Sequence, residues 1–214
     1  MKRRNGILAI GLIVIATASI LALAQTPPRK PASPAGTAAT QLGGTYVAVQ
    51  GGQRYQGGKW IEVTYGRPIK RGRQNLFGAG AEYGKALCDG APVWRAGANQ
   101  TTRLKTELPL VFDGKTLPAG EYSVFIDLKE AGWTLIFSSW PSQEKYDPEN
   151  KTALWGSYGY TPDKDVLRVP MKLGTLPFSM DELTIAFIDL TADSGKLALM
   201  WDKTIAAVPF KAGS

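Results

Sequence analysis

Residues 121–137 read EYSVFIDLKEAGWTLIF, and the spacing of their apolar side chains decides the fold class. Tyr122, Val124, Ile126 and Leu128 alternate with Ser123, Phe125 and Asp127; after LKEAG the run Trp133, Leu135, Phe137 resumes the same period of two. Alternation of this kind puts successive side chains on opposite faces of a strand, so the segment predicts a β-hairpin. A second hairpin is expected in LPLVFDGKTLPAG, where Asp113-Gly114 suits the positive backbone angles of a two-residue turn. Further on, LTIAFIDL, KLALMW and TIAAVPF are short apolar runs linked by TADSG and by Asp202-Lys203, which reads as a meander of three strands. Pro170 and Pro209 fall in or beside strands and cannot donate to a ladder, so edges or bulges are expected there. No amphipathic helix is evident beyond a turn around Ser179 to Glu182, and no repeat of fixed period is present. The expectation is an all-β antiparallel β-sandwich, jelly-roll-like or barrel-like, with little helix.

Ahead of these strands the chain opens MKRRNGILAIGLIVIATASILALAQ, with a basic start, an apolar run from Gly6 to about Leu23, and Ala22 and Ala24 ahead of Gln25. This is the pattern of a secretory signal peptide over 1–24 with an A-x-A site; left uncleaved, it is long enough to anchor the chain in a membrane. The protein is therefore expected to be exported, to a periplasmic or extracellular location. Residues 25–45 are rich in Pro, Ala and Thr with no periodic apolar face, and read as a flexible spacer. Residues 46–214 then form a single β-rich domain, in keeping with 214 residues and 44% hydrophobic content. The lone cysteine, Cys88, excludes an internal disulfide and reads as a small buried hydrophobe. Of the formal charge of +7, Lys2, Arg3 and Arg4 contribute to the N-terminal segment, and the other basic residues are scattered, so no nucleic acid partner is expected.

With no histidine in the chain, the usual hydrolytic triad and histidine-held metals are excluded, and one cysteine excludes a thiolate cluster. No phosphate-cradling glycine loop and no G-x-S-x-G elbow is present, and neither cofactor nor metal is expected. Carboxylate chemistry, arginine-based anion binding and aromatic stacking remain. Glu62, Glu82, Glu121, Asp127, Asp163 and Asp165 are candidate acids, which nothing in the sequence pairs. YDPENK at 146–151 and TPDKD at 161–165 carry oxygen ligands without EF-hand spacing and read as turn chemistry. LWGSYGY at 154–160 gathers Trp155, Tyr158 and Tyr160, with Trp140 and Tyr146 upstream, as rings that either stack on a ligand or fill the core.

Several stretches resemble one family in their order along the chain: VTYGRPIKRGRQNLFG (63–78), YGK (83–85), VWRAGAN (93–99), LPAGEYSVF (117–125), WTLIF (133–137), WGSYGY (155–160) and DVLRVPM (165–171). Together they resemble the bacterial exported domain-of-unknown-function 2911 family (DUF2911) over about residues 60 to 210. The resemblance implies an exported β-rich protein and implies no activity. Where family members commonly run from an LVPYGK-like segment almost directly into VWR, this chain has AEYGKALCDGAPVWR, so ALCDGAP reads as a short insertion.

Within VWRAGAN, Gly97 permits a tight or left-handed turn, and Asn99 is a residue type that tolerates such angles. Two readings of its polar residues follow. In one, Arg95 pairs with a buried carboxylate such as Glu121 or Asp165, and Asn99 caps a loop. In the other, Arg67, Arg95 and Asn99, with Trp94, Trp155 and Tyr158 as aromatic lining, form a cleft that binds a small anionic or sugar ligand through charge-assisted bonds. The leading expectation is a non-catalytic module that binds a ligand or an envelope component. Alternatives are a carboxylate-dependent glycan hydrolase and a purely structural tethered module.

Overall fold

The computed structural model describes residues 31–213. The signal peptide assigned to 1–24 and the start of the spacer lie outside the described residues. In chain order the strands are β1 (Ala35–Leu42), β2 (Thr45–Val49), β3 (Gly52–Gln56), β4 (Lys59–Gly66), β5 (Thr102–Thr106), β6 (Leu110–Phe112), β7 (Lys115–Leu117), β8 (Gly120–Lys129), β9 (Gly132–Ser138), β10 (Asp165–Pro170), β11 (Lys172–Ile188) and β12 (Ser194–Ala212). Helix among the described residues amounts to α1 (Lys85–Cys88) and 3-10 turns at Gly80–Glu82 and Pro162–Lys164.

The strands form an antiparallel six-stranded sheet, β1-β4-β5-β8-β9-β10, a four-stranded sheet, β11-β12-β6-β7, and a separate β2-β3 hairpin. The two larger sheets face each other across one apolar core, which makes a sandwich; the sheets are open, and no barrel closes. The opening stretch pairs as its period requires, with Val124 opposite Phe137, Ile126 opposite Leu135 and Leu128 opposite Trp133. Asp113 and Gly114, at φ 47 and 73, turn β6 back into β7 as the sequence predicts. Pro170 lies on an edge strand, and Pro209 falls between the last β11 partner of β12, Ala207, and the first β6 partner, Lys211. Both prolines thus avoid a ladder position that needs an N–H.

Three local expectations are corrected. The spacer stops short of 45, because Ala35–Leu42 pairs along its whole length with β4 and buries Leu42 completely. Its small residues resemble a linker in composition, yet they alternate between exposed and half-buried as an edge strand does. KLALMW and TIAAVPF are one strand: Asp202, at φ 51 and opposite Met180, does not end β12, and the extra residues of this irregularity lie on β11. The turn expected at Ser179 to Glu182 is a stretch of β11 in which the register shifts on either side of Met180.

The core centres on tryptophans. Trp94 stacks on Trp201 at 6.2 Å between ring centroids, Trp133 meets Trp94 edge-on, and Phe77 packs against all three. Each indole N–H has an acceptor, respectively the Gly97 carbonyl, the Tyr83 hydroxyl and the Asp181 carbonyl for Trp94, Trp133 and Trp201. Cys88, expected to be buried, is half-buried at the end of α1, and burial with the nearby Asp127 charge pushes its thiol pKa up.

Candidate functional site

VWRAGANQTTR is an excursion from a sheet. Trp94 exchanges two backbone hydrogen bonds with Ile126, and Thr102 lies opposite Val124, so the chain leaves the side of β8 at one residue and rejoins it two residues away. The residues between must balloon out of the sheet plane. The Thr102 hydroxyl donates to the Ala96 carbonyl (3.3 Å) and closes the neck of the loop. Ala96 and Asn99 adopt left-handed angles, φ 51 and 62, so Asn99 behaves as expected. Gly97 serves another purpose than the expected turn: a Cβ there would stand 2.9 Å from the Gly66 carbonyl oxygen, and one on Gly66 would collide with the Ala98 carbonyl. Two backbones approach where neither tolerates a side chain.

The residues proposed for one cleft separate. Trp94 is 1% exposed and belongs to the tryptophan core, so it is withdrawn as a ligand-binding residue. Arg67 forms an ion pair with Glu182 of β11, and its aliphatic stem lies over Gly36. The Asn99 side chain donates to the Ser33 carbonyl (3.1 Å). Arg95 is 9% exposed and reaches neither of its expected acids: Glu121 pairs with Arg103, and Asp165 with Arg168. Its guanidinium lies instead between the backbone of Gly156 and the ring of Tyr158, 5.0 Å from the ring centroid, and donates to the Asn99 carbonyl (3.0 Å). Gly156, at φ 64, leaves the guanidinium room to lie flat, since a Cβ there would stand 2.6 Å from Nη1. The negative face of the ring takes the place of a carboxylate, and flat stacking suits guanidinium as it would not suit an ammonium.

Arg95, Trp155 and Tyr158 thus meet in one structure, the loop from Ser139 to Tyr160 that roofs part of the outer face of the six-stranded sheet. Beneath it Phe125 and Ile136, fully buried, pack with Val93, Leu154 and Tyr160 as a second small core. The Thr101 hydroxyl ties this roof to the excursion through the carbonyls of Leu154 and Gly156. Gln143, 7% exposed, organises the rest: its Nε2 donates to the carbonyls of Asn150 and Ala153, and its Oε1 accepts from the Asp147 N–H. Asp147 and Asn150 spend their side-chain oxygens on the N–H groups of Glu149, Thr152 and Ala153, which is the turn chemistry expected of YDPENK. At the end of the roof the Tyr160 hydroxyl donates to Asp165 (2.7 Å) and accepts from Arg168, while Arg168 also holds Asp127. Burial, then the hydrogen bond to Asp165, raise the Tyr160 pKa far above its ordinary value.

On its outer side the roof carries a groove of about 490 Å³ whose walls include Tyr146, Trp155 and Tyr158. Tyr146 and Trp155 stand 5.8 Å apart between centroids at 56°, and Tyr146 and Tyr158 are 58% and 43% exposed. Tyr158 is steadied from below by Arg95 and at its hydroxyl by a hydrogen bond to Asp89, in the ALCDGAP stretch. A family model described as a protein of unknown function (DUF2911) matches residues 48–210. The chain belongs to the DUF2911 family. No curated protein and no solved structure matches it. The family match spans the strands of both large sheets from β4 to β12, the excursion and the ring groove, and stops short of β1.

Carboxylate pairs are less well placed. Asp127 and Asp165 are both held by Arg168. Glu62 and Glu121 flank Lys105 in register, so two strand spacings of ~4.8 Å separate their backbones, and Glu121 is tied to Arg103. Sequence reasoning singled out the rings and missed Gln143, Thr101 and Asp89. Thr101 was within reach, since it continues the alternation of Arg103 and Lys105 on β5.

Proposed function

We propose that this protein is an exported, non-catalytic binding module whose ligand is a sugar, held in the ring groove of the roof. The observation that carries the reading is the Tyr146–Trp155 pair, two exposed or half-exposed rings facing a groove whose other walls set Gln143, Asp147, Asn150 and Lys151 among apolar residues, with Tyr158 beside them. An aromatic face matches the apolar C–H face of a pyranose, and polar groups at the rim match its hydroxyls. Buried arginine and glutamine hold the loop that bears these rings, so the groove exists before a ligand arrives and costs little ordering on binding. Arg95 is a positioning residue in this reading, acting through Tyr158. The small anionic ligand is favoured less, because Arg67 and Arg95 are both engaged by the protein's own groups, Glu182 and the Asn99 carbonyl. Hydrolysis is favoured less because Asp127, Asp165 and Glu121 are each bound to an arginine.

The test is a glycan array probed with the folded domain and with Trp155→Ala and Tyr146→Ala. Binding to a defined set of sugars is expected, lost in Trp155→Ala and weakened in Tyr146→Ala, with melting temperatures close to that of the unmodified domain. An array on which no sugar is retained, or on which both variants match the unmodified domain, would overturn the reading.

A further inference from the structure

The ring groove has neighbours on the same face of the molecule. A second depression, of about 350 Å³, shares Gln143 with it and runs between β1 and the 142–144 segment; a third, of about 260 Å³, shares Thr64 and Arg103 with the second. The floor common to these two is the outer face of β5, where Thr101, Arg103 and Lys105 follow one another at alternate positions. From Thr101 to Lys105 that face spans ~13 Å at ~3.3 Å per residue, before the ring groove adds its own length. Each depression is also balanced in charge: Asp147 against Lys151 in the first, Glu144 against Arg103 in the second, and Glu62 and Glu121 against Arg103 and Lys105 in the third.

Resting on the sugar-binding reading above, we infer that the three depressions form one track for a neutral glycan chain, with one end stacked on Trp155 and the remainder lying along β5. A single sugar would leave the polar floor unused. Along the whole track four acids (Asp147, Glu144, Glu62, Glu121) stand among three bases (Lys151, Arg103, Lys105), so a strongly charged polymer of either sign would meet repulsive groups throughout. Alternating donors and acceptors of both signs suit the hydroxyls of an uncharged chain, and the depth comes in part from β1, where Gly36 lines the second depression without a side chain.

The experiment is calorimetric titration with a length series of neutral β-linked glucan and N-acetylglucosamine oligomers, from the monosaccharide upward. Thr64→Trp is the blocking variant, since Thr64 is exposed on β4, lies on the shared wall and tolerates an aromatic on a strand. Affinity is expected to climb with length, and Thr64→Trp to bring long oligomers down to the affinity of short ones, a loss of about tenfold, with short oligomers unchanged. Lys105→Trp, from the neighbouring strand, repeats the block should Thr64→Trp melt early. Affinity independent of length, or long oligomers indifferent to both blocks while Trp155→Ala still abolishes binding, would overturn the track and leave the ring site standing. If no oligomer binds, or Trp155→Ala changes nothing, the sugar reading falls with it. Displacement of a bound oligomer by an uncharged extended peptide at equal concentration would overturn the glycan as occupant.

Discussion

The outer face of the six-stranded sheet is built in two ways. On β8 and β9, Phe125 and Ile136 point away from the main core, yet both are fully buried under the roof that Arg95, Thr101 and Gln143 hold in place. On β4 and β5, Glu62, Thr64, Arg103 and Lys105 occupy equivalent outward positions and remain open, lining depressions. The same backbone architecture therefore carries a second core on one side and a wet, charged surface on the other. The difference teaches where stability and binding should part company. Substitutions under the roof should be read in the melting temperature, and those on the open side in affinity.

Four experiments break or sharpen that contrast. Phe125→Ala should have the largest effect, because it empties the middle of the second core, a loss of ~3 to 5 kcal/mol, and at ~2 to 4 °C per kcal/mol the midpoint should fall by about 10 °C. A shift of only a degree or two would mean that the roof contributes no stability. Arg95→Ala comes next: it removes a desolvated cation–π contact and a hydrogen bond, for ~2 kcal/mol and a fall of about 5 °C. Arg95→Lys should fail to restore it, since an ammonium cannot lie flat between Gly156 and Tyr158. Full rescue by lysine would show that charge alone was required.

The third test is of pH. The folded pKa of Tyr160 is raised, so the unfolded chain loses this proton first; its contribution is present below about pH 10 and is lost as pH rises toward the folded value. Denaturant titrations at rising alkaline pH should show the unmodified domain losing stability by up to ~1.4 kcal/mol per pH unit more steeply than Tyr160→Phe. Parallel slopes would contradict a roof anchored by that hydroxyl. Smallest should be Thr64→Ala and Glu62→Gln on the open side, within ~0.5 kcal/mol of the unmodified domain. A larger loss at either position would show that the open face supports the fold as well.

Reading the fold from sequence succeeded wherever one strand face was apolar. The period of two in 121–137 specifies not only the hairpin but its register, because a slip of one residue would turn Val124 and Ile126 out of the main core. It failed at Ala35–Leu42, where small residues carry no apolar signal and the strand exists because β4 offers an edge. It also separated at Asp202 what is one strand, since an aspartate inside an irregular strand and an aspartate at a turn look alike in sequence. At the site, the rings of 154–160 and the importance of Arg95 were legible as types. What Arg95 faces was not, because its partners are a glycine backbone and a ring fixed by long-range folding, and a formal charge suggests a carboxylate first.

The pairing of β12 with β6 has a consequence for the order of events in the life of the chain. The β6-β7 hairpin joins the four-stranded sheet through Lys211 opposite Val111 and Ala212 opposite Leu110, partners about a hundred positions apart. A contact spanning that much chain is slow to form and cannot form at all until residues 211 and 212 have been synthesised. Until then the apolar side of β6, with Leu110 and Phe112, lacks its sheet neighbour and is open to the wrong partners. A nascent chain is therefore held short of its compact state by its own topology, a timer written in strand order.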